Sequence, residues 1–316
     1  MRHHSKTCFG VAAIILPVVL TLTLRAQEQN SPDRPAQLRA EVRMILVPVT
    51  VVDRRGVAVN GLGQANFVVL DDKVPQNIVS FSSEDTPCSI GLVLDLSGSM
   101  RDRLKSAKEA LTEFLVTANP EDEFSLFGVT TEPLVYAVGS VNKFTSDTAI
   151  IQNSIGRAPL GGSTALIDTI YAALNRMRAA RNPRRALVIV SDGMDNHSRH
   201  SQQELVRLAV EADVEIYTIA IDAVRRENKT IQELEARRGL SYLEDLAGRT
   251  GGLHFVIQNR KEATVAGERI GLAIRNQYVI GYQPHNLDSS GKWHRVQVRL
   301  DRAQVQIYAR SGYYAR

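Results

Sequence analysis

The sequence predicts an α/β fold in which a doubly wound, mainly parallel sheet is joined by a small β-sandwich-like unit. Between residues 88 and 275, short apolar runs alternate with segments of helical period, which is typical of strands and helices wound into a parallel sheet. The runs at 90–94 and 186–190 contain no charged residue, as expected for central strands covered on both faces. Residues 38–87 and 276–316 instead show strand-like alternation, which predicts the smaller β unit.

The elements of the central region can be assigned in order from their periodicity. In the first helix, for example, Leu104, Ala107 and Leu111 recur at helical spacing. The predicted strands are 90–95, 124–129, 134–138, 186–191, 214–221 and 253–257. The predicted helices are 102–118, 164–178, 202–212, 241–248 and 263–274. The charge-dense segment 222–239 is expected to be an exposed loop or solvated helix.

The two flanking regions each contain a few short strands. The predicted strands are 47–53, 66–71, 77–81, 277–282, 293–300 and 305–309, with turns at 54–56 and 71–75. A few strands alone bury too little surface to be stable. We therefore expect the strands of 38–87 and 276–316 to pack together, with the α/β domain of residues 88–275 inserted between them.

Three oxygen-bearing side chains follow the first central strand. Asp95, Ser97 and Ser99 come directly after the apolar run 90–94 and precede a predicted helix. In open α/β sheets the ligand crevice lies at the carboxyl ends of the strands, so these side chains are expected to face it. Mg²⁺ prefers carboxylate, hydroxyl and water oxygens, with Mn²⁺ or Ca²⁺ as alternatives. Taken alone, this motif is also compatible with a helix N-cap.

Two further segments point to the same edge of the sheet. The run 186–190 ends in Ser191 and Asp192, with Gly193 available for a sharp turn. Between the two runs, Gly161-Gly162 permits close backbone approach, and Thr164 opens the next predicted helix. These segments add a hydroxyl and a second carboxylate to the first loop.

With all three segments, the chain resembles the von Willebrand factor A (VWA) domain family. That family's metal-ion-dependent adhesion site uses an Asp-x-Ser-x-Ser loop, a Thr from a second loop and an Asp from a third. The resemblance implies five ligands for a divalent metal: Asp95, Ser97, Ser99, Thr164 and Asp192, of which Asp192 is expected to bind either directly or through water. A VWA scaffold can also serve as an interaction module without metal.

The flanks are similar to those of exported bacterial VWA-related proteins. Their Val-x-Val-x-Asp-x-x-Gly opening resembles residues 49–56, with one residue of slack, and their Arg-x-Gly-Tyr end resembles residues 310–313. The resemblance covers most of the chain after the leader and implies no reaction.

The N-terminus reads as an export signal. Arg2 and Lys6 precede an apolar stretch that ends before Ala26, so residues 1–26 are predicted to be a signal peptide and residues 27–37 a polar linker. Secretion or placement in the periplasm or cell envelope is expected. The alternative is an uncleaved anchor, the only case in which membrane contact is expected.

Composition limits the class of partner. The formal net charge of the 316 residues is +4, but without the three basic residues of the leader, 35 basic residues stand against 34 acidic ones. No basic stripe with interleaved aromatic residues is present, so nucleic acid is not expected as a partner. After removal of the leader Cys88 is the single cysteine, and it is predicted to be a small buried residue.

The expected function is non-catalytic, divalent-metal-dependent protein binding, with a protein partner that supplies an acidic side chain to the metal. The alternative is an envelope assembly or scaffold protein that uses the domain as a clamp. A Mg²⁺-dependent phosphatase is less favoured, because Ser97 stands where its second carboxylate would be needed. A serine hydrolase is also disfavoured, since Ser97 lacks a Gly-x-Ser-x-Gly context. His197, after the third loop, is interpreted as a surface residue, with contact to a bound ligand as the alternative.

Overall fold

The structure, a computed structural model, describes residues 44–136, 144–222, 231–285, 290–301 and 304–315. In chain order, its strands are β1 (Ile45–Asp53), β2 (Phe67–Asp71), β3 (Val74–Gln76), β4 (Ile78–Ser82), β5 (Cys88–Asp95), β6 (Glu123–Val129), β7 (Leu134–Val135), β8 (Arg184–Ser191), β9 (Glu215–Ile221), β10 (His254–Ile257), β11 (Tyr278–Tyr282), β12 (Trp293–Leu300), β13 (Val305–Ala309) and β14 (Gly312–Tyr314). The helices are α1 (Leu104–Val116), α2 (Thr148–Arg157), α3 (Leu166–Met177), α4 (Gln202–Ala212), α5 (Ile231–Thr250) and α6 (Arg260–Arg275).

The central sheet has six strands in the order β10-β9-β8-β5-β6-β7. All neighbours pair in parallel except β7, which turns back antiparallel to β6. Both faces of the sheet are covered. Strand residues such as Leu92 pack in one apolar core with α1 and α6, while residues such as Val93 pack in a second core with α3, α4 and α5. The predicted doubly wound, mainly parallel sheet is therefore confirmed.

The flanking regions form two four-stranded sheets, in the orders β13-β1-β11-β4 and β14-β12-β2-β3. Each sheet combines strands that precede the α/β domain with strands that follow it. In the first sheet Val47 pairs with Ile280, and in the second Val69 pairs with Val298. Side chains of the two sheets pack in one apolar core, which includes Tyr278 of β11. The predicted β-sandwich-like unit is thus present.

Several elements were predicted incompletely. Residues 74 and 75 belong to strand β3 rather than to a turn, and α2, β14 and the short 3-10 turns Gln64–Asn66 and Gly98–Met100 have no counterpart among the predicted elements. The helix expected at 241–248 begins at Ile231, so the part of the charge-dense segment from 231 onward is helical. Residues 1–43, which include the expected leader and linker, and residues 223–230 lie outside the described part of the chain. The assigned domain boundaries stay a prediction.

A buried polar cluster joins the sandwich to the α/β domain. Gln277, just before β11, donates its side-chain amide to Glu215 at 2.8 Å and to the Tyr217 hydroxyl at 3.0 Å. Arg184 donates to the Gln277 side-chain oxygen at 2.6 Å. Burial raises the pKa of Glu215 to about 7, while the positive charge of Arg184 opposes that rise. These hydrogen bonds fix the strand that leads out of the α/β domain.

Cys88 opens β5 with 2% exposure and forms no disulfide within the described residues. Burial raises the pKa of its thiol to about 12, so it stays protonated near neutral pH. The prediction of a small buried residue is confirmed. No helix among the described residues is both long and apolar enough to cross a membrane.

The contact between α1 and α6 depends on Gly267. A Cβ atom at this position would lie 2.1 Å from the carbonyl oxygen of Ala110, so Gly267→Ala forces the two helices apart. We expect the free energy of unfolding, measured by urea titration, to fall by about 2–3 kcal/mol. Gly248→Ala in α5 is the matched control, because its Cβ would meet nothing within 4 Å. The control should gain up to about 1 kcal/mol; an equal change in both variants would contradict the packing argument.

Candidate metal site

The first loop of the site starts where β5 ends. Asp95 is the last residue of that strand and is fully buried, and Ser97 is 1% exposed. The backbone N–H of Ser97 donates to Asp95 Oδ1 at 2.9 Å, which turns the chain back over the strand end. The hydroxyl oxygens of Ser97 and Ser99 lie 3.1 Å apart, and Ser99 is exposed. The loop thus carries one buried carboxylate and two neighbouring hydroxyls, one of them open to solvent.

The second loop is held against the first by its backbone. Gly161 donates its N–H to the Leu96 carbonyl at 2.8 Å, and Gly98 donates to the Gly162 carbonyl at 3.3 Å. Gly162 has φ +91°, and a Cβ there would lie 2.9 Å from the hydroxyl oxygen of Thr131. Glycine is therefore required for this approach. Thr164 follows with 3% exposure and leads into α3.

The third loop begins after β8 and turns at Gly193. Gly193 has φ +76°, and a Cβ there would lie 2.4 Å from the backbone of Gly239 in α5. Asp192, just before the turn, is 1% exposed. Its Oδ1 accepts the Met194 N–H at 3.1 Å, whereas its Oδ2 is buried without a hydrogen-bond partner. A buried carboxylate oxygen without a partner is costly unless a cation or donor is bound there.

Ser191 links the first and third loops directly. Its hydroxyl donates to Asp95 Oδ2 at 2.6 Å and accepts the N–H of Gly193 at 2.9 Å. A serine at the end of an apolar strand gives no signal of its partner in the sequence, so the role of Ser191 is visible only in the structure. Ser191 positions the Asp95 carboxylate and the turn after Asp192 at the same time.

Asn196 ties the third loop to the second. Its side-chain oxygen accepts the Thr164 N–H at 3.0 Å, and the Thr164 carbonyl accepts the backbone N–H groups of Asn196 and His197 at 3.0 and 3.1 Å. Asp195 accepts the Ile167 N–H at 2.8 Å, in the first turn of α3. His197 itself is exposed, in agreement with its interpretation as a surface residue. Asn196 and Asp195 were missed because their partners lie about thirty positions earlier in the chain.

The electrostatics of the site favour a bound cation. Burial, reinforced by the negative charge of Asp192, raises the pKa of Asp95 to about 6. The hydrogen bonds from Ser191 and Ser97 oppose this rise and favour the carboxylate. A divalent ion would neutralise both carboxylates and supply a partner for the unpaired Asp192 oxygen. The residues present therefore fit a divalent metal.

The structure brings the five sequence-predicted residues onto three loops at one edge of the sheet. Asp95, Ser97 and Ser99 share a loop and the short contacts given above. Asp192 is close enough to shift the pKa of Asp95, and Thr164 is held by the backbone bonds between the second and third loops. Their role as ligands stays a prediction.

The central domain is similar to a known domain family. Residues 90–194 match the family model described as "von Willebrand factor type A domain". An uncharacterized protein of Borreliella burgdorferi is 24% identical over 194 residues, which are 54% of this chain and 54% of that protein. The chain therefore matches about half the length of this curated relative.

Solved structures are similar in fold. A "von Willebrand factor type A" protein from Catenulispora acidiphila has a TM-score of 0.52 and 13% identity, over 88% of this chain and 64% of that one. Proximal thread matrix protein 1 from the mussel byssus, solved "with zinc occupied MIDAS motif", has a TM-score of 0.47 and 16% identity, over 66% of this chain and 50% of that one. The similarity to the Catenulispora acidiphila structure and the family match at residues 90–194 show that the central domain has the VWA fold.

The raised pKa of Asp95 predicts a pH-dependent loss of stability in metal-free protein. Because the folded state holds this proton more tightly than the unfolded chain, stability falls as pH rises from the ordinary pKa of 3.8 to about 6. Asp95→Asn removes this loss. In urea titrations with EDTA, the variant should be more stable than wild type by up to about 3 kcal/mol at pH 7, and the difference should vanish below about pH 4.

The control for this measurement is Asp102→Asn, which removes an exposed carboxylate from the turn before α1. It should leave the pH profile of stability unchanged. A wild type that is more stable than Asp95→Asn at pH 7 in EDTA would contradict the electrostatic argument.

Proposed function

We propose that this chain is a non-catalytic protein-binding module of an exported protein, which recognises its partner through a divalent metal. The VWA domain is commonly a metal-dependent protein-interaction module. The observation that carries the proposal is the Asp192 carboxylate, which is buried beside Asp95 with one oxygen unpartnered. Two buried carboxylates at one sheet edge match the charge of a divalent ion.

Five side chains would hold the ion: Asp95, Ser97, Ser99, Thr164 and Asp192. They offer carboxylate and hydroxyl oxygens alone, which favours Mg²⁺, with Mn²⁺ or Ca²⁺ as alternatives. The ion would place a positive charge at the carboxyl edge of the central sheet, where the side chains of Asp95 and Asp192 are negatively charged. Ser191 and Asn196 would not touch it; they position Asp95 and Thr164 through the bonds at 2.6 and 3.0 Å.

The partner is proposed to be a protein that presents an Asp or Glu side chain. Four of the five ligand residues are buried, and Ser99 is exposed, so the ion would be reached from the Ser99 side. A carboxylate is the complementary group, because two protein carboxylates leave a divalent ion near neutrality and able to accept a further oxygen ligand.

Catalysis is not part of the proposal. A phosphatase of the aspartyl-phosphate type needs a carboxylic acid two residues after its nucleophile. Here that residue is Ser97, whose hydroxyl lies 3.1 Å from another hydroxyl, that of Ser99. The site therefore offers ligands for a cation and no acid or base for a hydrolytic step at this position.

An envelope assembly or scaffold protein is the second candidate, since the same metal-dependent contact can clamp a neighbouring protein. Export rests on the sequence of residues 1–26, with an uncleaved anchor as the alternative. The two functions differ in where the partner is found.

Metal binding is tested by calorimetric titration of the full chain with Mg²⁺ and Mn²⁺. We expect saturable binding that Asp95→Ala abolishes while circular dichroism shows the fold intact, because the variant loses a ligand and its hydrogen bonds with Ser97 and Ser191 but changes no residue of the apolar core. Asp102→Ala is the matched control for loss of a nearby negative charge, and it should bind as wild type does. Equal binding by wild type and Asp95→Ala would exclude this site.

Partner binding is tested by affinity capture from secreted and envelope fractions, with Mg²⁺ or EDTA. A partner retained in Mg²⁺ and released by EDTA, and not captured by Asp95→Ala, supports metal-dependent recognition. Recovery from the envelope fraction alone favours the scaffold function, whereas capture that ignores both EDTA and the substitution contradicts the proposal.

A further inference from the structure

A second cluster of metal-ligating side chains lies in the β-sandwich, apart from the three loops described above. It consists of Asp71 at the end of β2, Asp72 in the following turn and His294 on β12. One ligand atom of each residue lies within 4.8 Å of the others. We propose that this cluster binds a Zn²⁺-like transition metal ion that fastens the β2–β3 turn to β12.

The backbone places Asp72 and His294 close together. Asp72 and Lys73 both have positive φ, +47° and +71°, which makes the tight turn between β2 and β3. Asp72 is pinned to β12 twice: its N–H donates to the Arg295 carbonyl at 2.9 Å, and its Oδ1 accepts the Arg295 N–H at 2.9 Å. Asp72 Oδ2 is thereby left facing His294, at 3.1 Å from Nδ1.

Asp71 points inward and is held by two tyrosines. Its Oδ2 accepts the hydroxyl of Tyr282 at 3.0 Å and that of Tyr313 at 2.9 Å. Asp71 is only 5% exposed, and its Oδ1 is buried without a hydrogen-bond partner, 3.6 Å from His294 Nδ1. Among the carboxylates that the structure describes, only those of Asp71 and Asp192 have a buried oxygen without a hydrogen-bond partner. The unpaired oxygen thus faces the other two ligands.

An ion pair with protonated His294 does not provide a hydrogen bond to both carboxylates. The single Nδ1–H of His294 can be directed at only one oxygen. The nearer oxygen is Asp72 Oδ2, at 3.1 Å. Asp71 Oδ1 would stay buried without a partner, which costs free energy. A divalent cation bound by neutral His294 instead satisfies both carboxylates and balances their charge.

The distances suit a small tetrahedral ion. With ligand bonds of 2.0–2.2 Å, the ligand atoms of a tetrahedral Zn²⁺ site are separated by about 3.3 Å. His294 Nδ1 lies 3.1 and 3.6 Å from its two carboxylate partners, which brackets that value. An imidazole with two carboxylates favours Zn²⁺ and similar ions over Mg²⁺. Three protein ligands leave a fourth position open, and the 53% exposure of the Asp72 side chain gives solvent access.

The cluster and its hydrogen-bond partners involve four strands: β2, β12 and β14 of one sheet and β11 of the other. His294 stacks on Tyr313 of β14 with ring centroids 5.2 Å apart, and the Tyr313 hydroxyl holds Asp71. Tyr282, from the opposite sheet, holds the same carboxylate. These hydrogen bonds to the ligands act as the outer shell that orients a metal site. Metal binding would therefore stabilise the contact between the two sheets.

The test is calorimetric titration of the full Asp95→Ala chain with Zn²⁺, a background that removes the first site from the measurement. We expect one equivalent of Zn²⁺ to bind, and the affinity to fall at least tenfold on adding Asp72→Asn or His294→Gln. Asn at position 72 tolerates positive φ and keeps an oxygen for the Arg295 N–H, so the fold should survive its introduction. His285→Gln, at an exposed histidine of the same unit, should bind as the background does.

Thermal unfolding supplies a second readout. Zn²⁺ should raise the unfolding temperature of the Asp95→Ala chain and leave that of the Asp95→Ala, Asp72→Asn chain unchanged. The proposal is overturned if the Asp95→Ala chain binds no Zn²⁺, or if Asp72→Asn and His294→Gln both bind as tightly as the background. Either result would leave the cluster as an ion pair and would not affect the proposed VWA metal site, which Mg²⁺ titration tests separately.

Discussion

The burial of two negative charges at the carboxyl edge of the central sheet is the constraint on which the site depends. Asp95 is fully buried and Asp192 is 1% exposed, and the negative charge of Asp192 disfavours ionisation of Asp95. The protein compensates in part, through the Ser97 N–H and the Ser191 hydroxyl at Asp95 and the Met194 N–H at Asp192. What is left uncompensated is one oxygen of Asp192. A site that is unfavourable when empty binds a cation more favourably for that reason.

The loops can hold this charge because their backbones are bonded to one another. Close approach at Gly162 and at Gly193 leaves no room for a Cβ atom, so loop positions are set by contact with Thr131 and with α5. Asn196 then connects the second and third loops around Thr164. Ligands carried on loops that are fixed in this way need little rearrangement when an ion binds.

The β-sandwich-like unit formed by the flanking strands also contains a buried carboxylate oxygen without a hydrogen-bond partner. Its two sheets are each built from both ends of the described chain, and Gln277 anchors the return strand to Glu215 and Arg184. This buried oxygen is Oδ1 of Asp71, which lacks a hydrogen-bond partner as Oδ2 of Asp192 does. In the α/β domain and in the β-sandwich-like unit alike, a carboxylate at the end of a strand has hydrogen-bond partners for only one of its two oxygens.

The sequence by itself determined the fold class, because apolar periodicity is a local property, and its resemblance to the VWA family predicts the five candidate ligands. The strands at 90–95 and 186–191 and the helix at 202–212 were predicted within two residues at each end. The three-residue strands are not predicted, since such short segments carry too little pattern, and α2 is not predicted because only Ile151 and Ile155 of its ten residues are buried.

Only the tertiary structure decided which residues support the candidate ligands. Ser191 and Asn196 act on Asp95 and Thr164 at separations of 96 and 32 positions, and the Asp71, Asp72 and His294 cluster joins β2 to β12. Such contacts depend on strand pairing between distant segments, which one sequence does not encode in any local pattern. The physical reason is that ligand identity follows from side-chain chemistry, whereas burial, charge coupling and unsatisfied hydrogen bonds arise when the chain is packed.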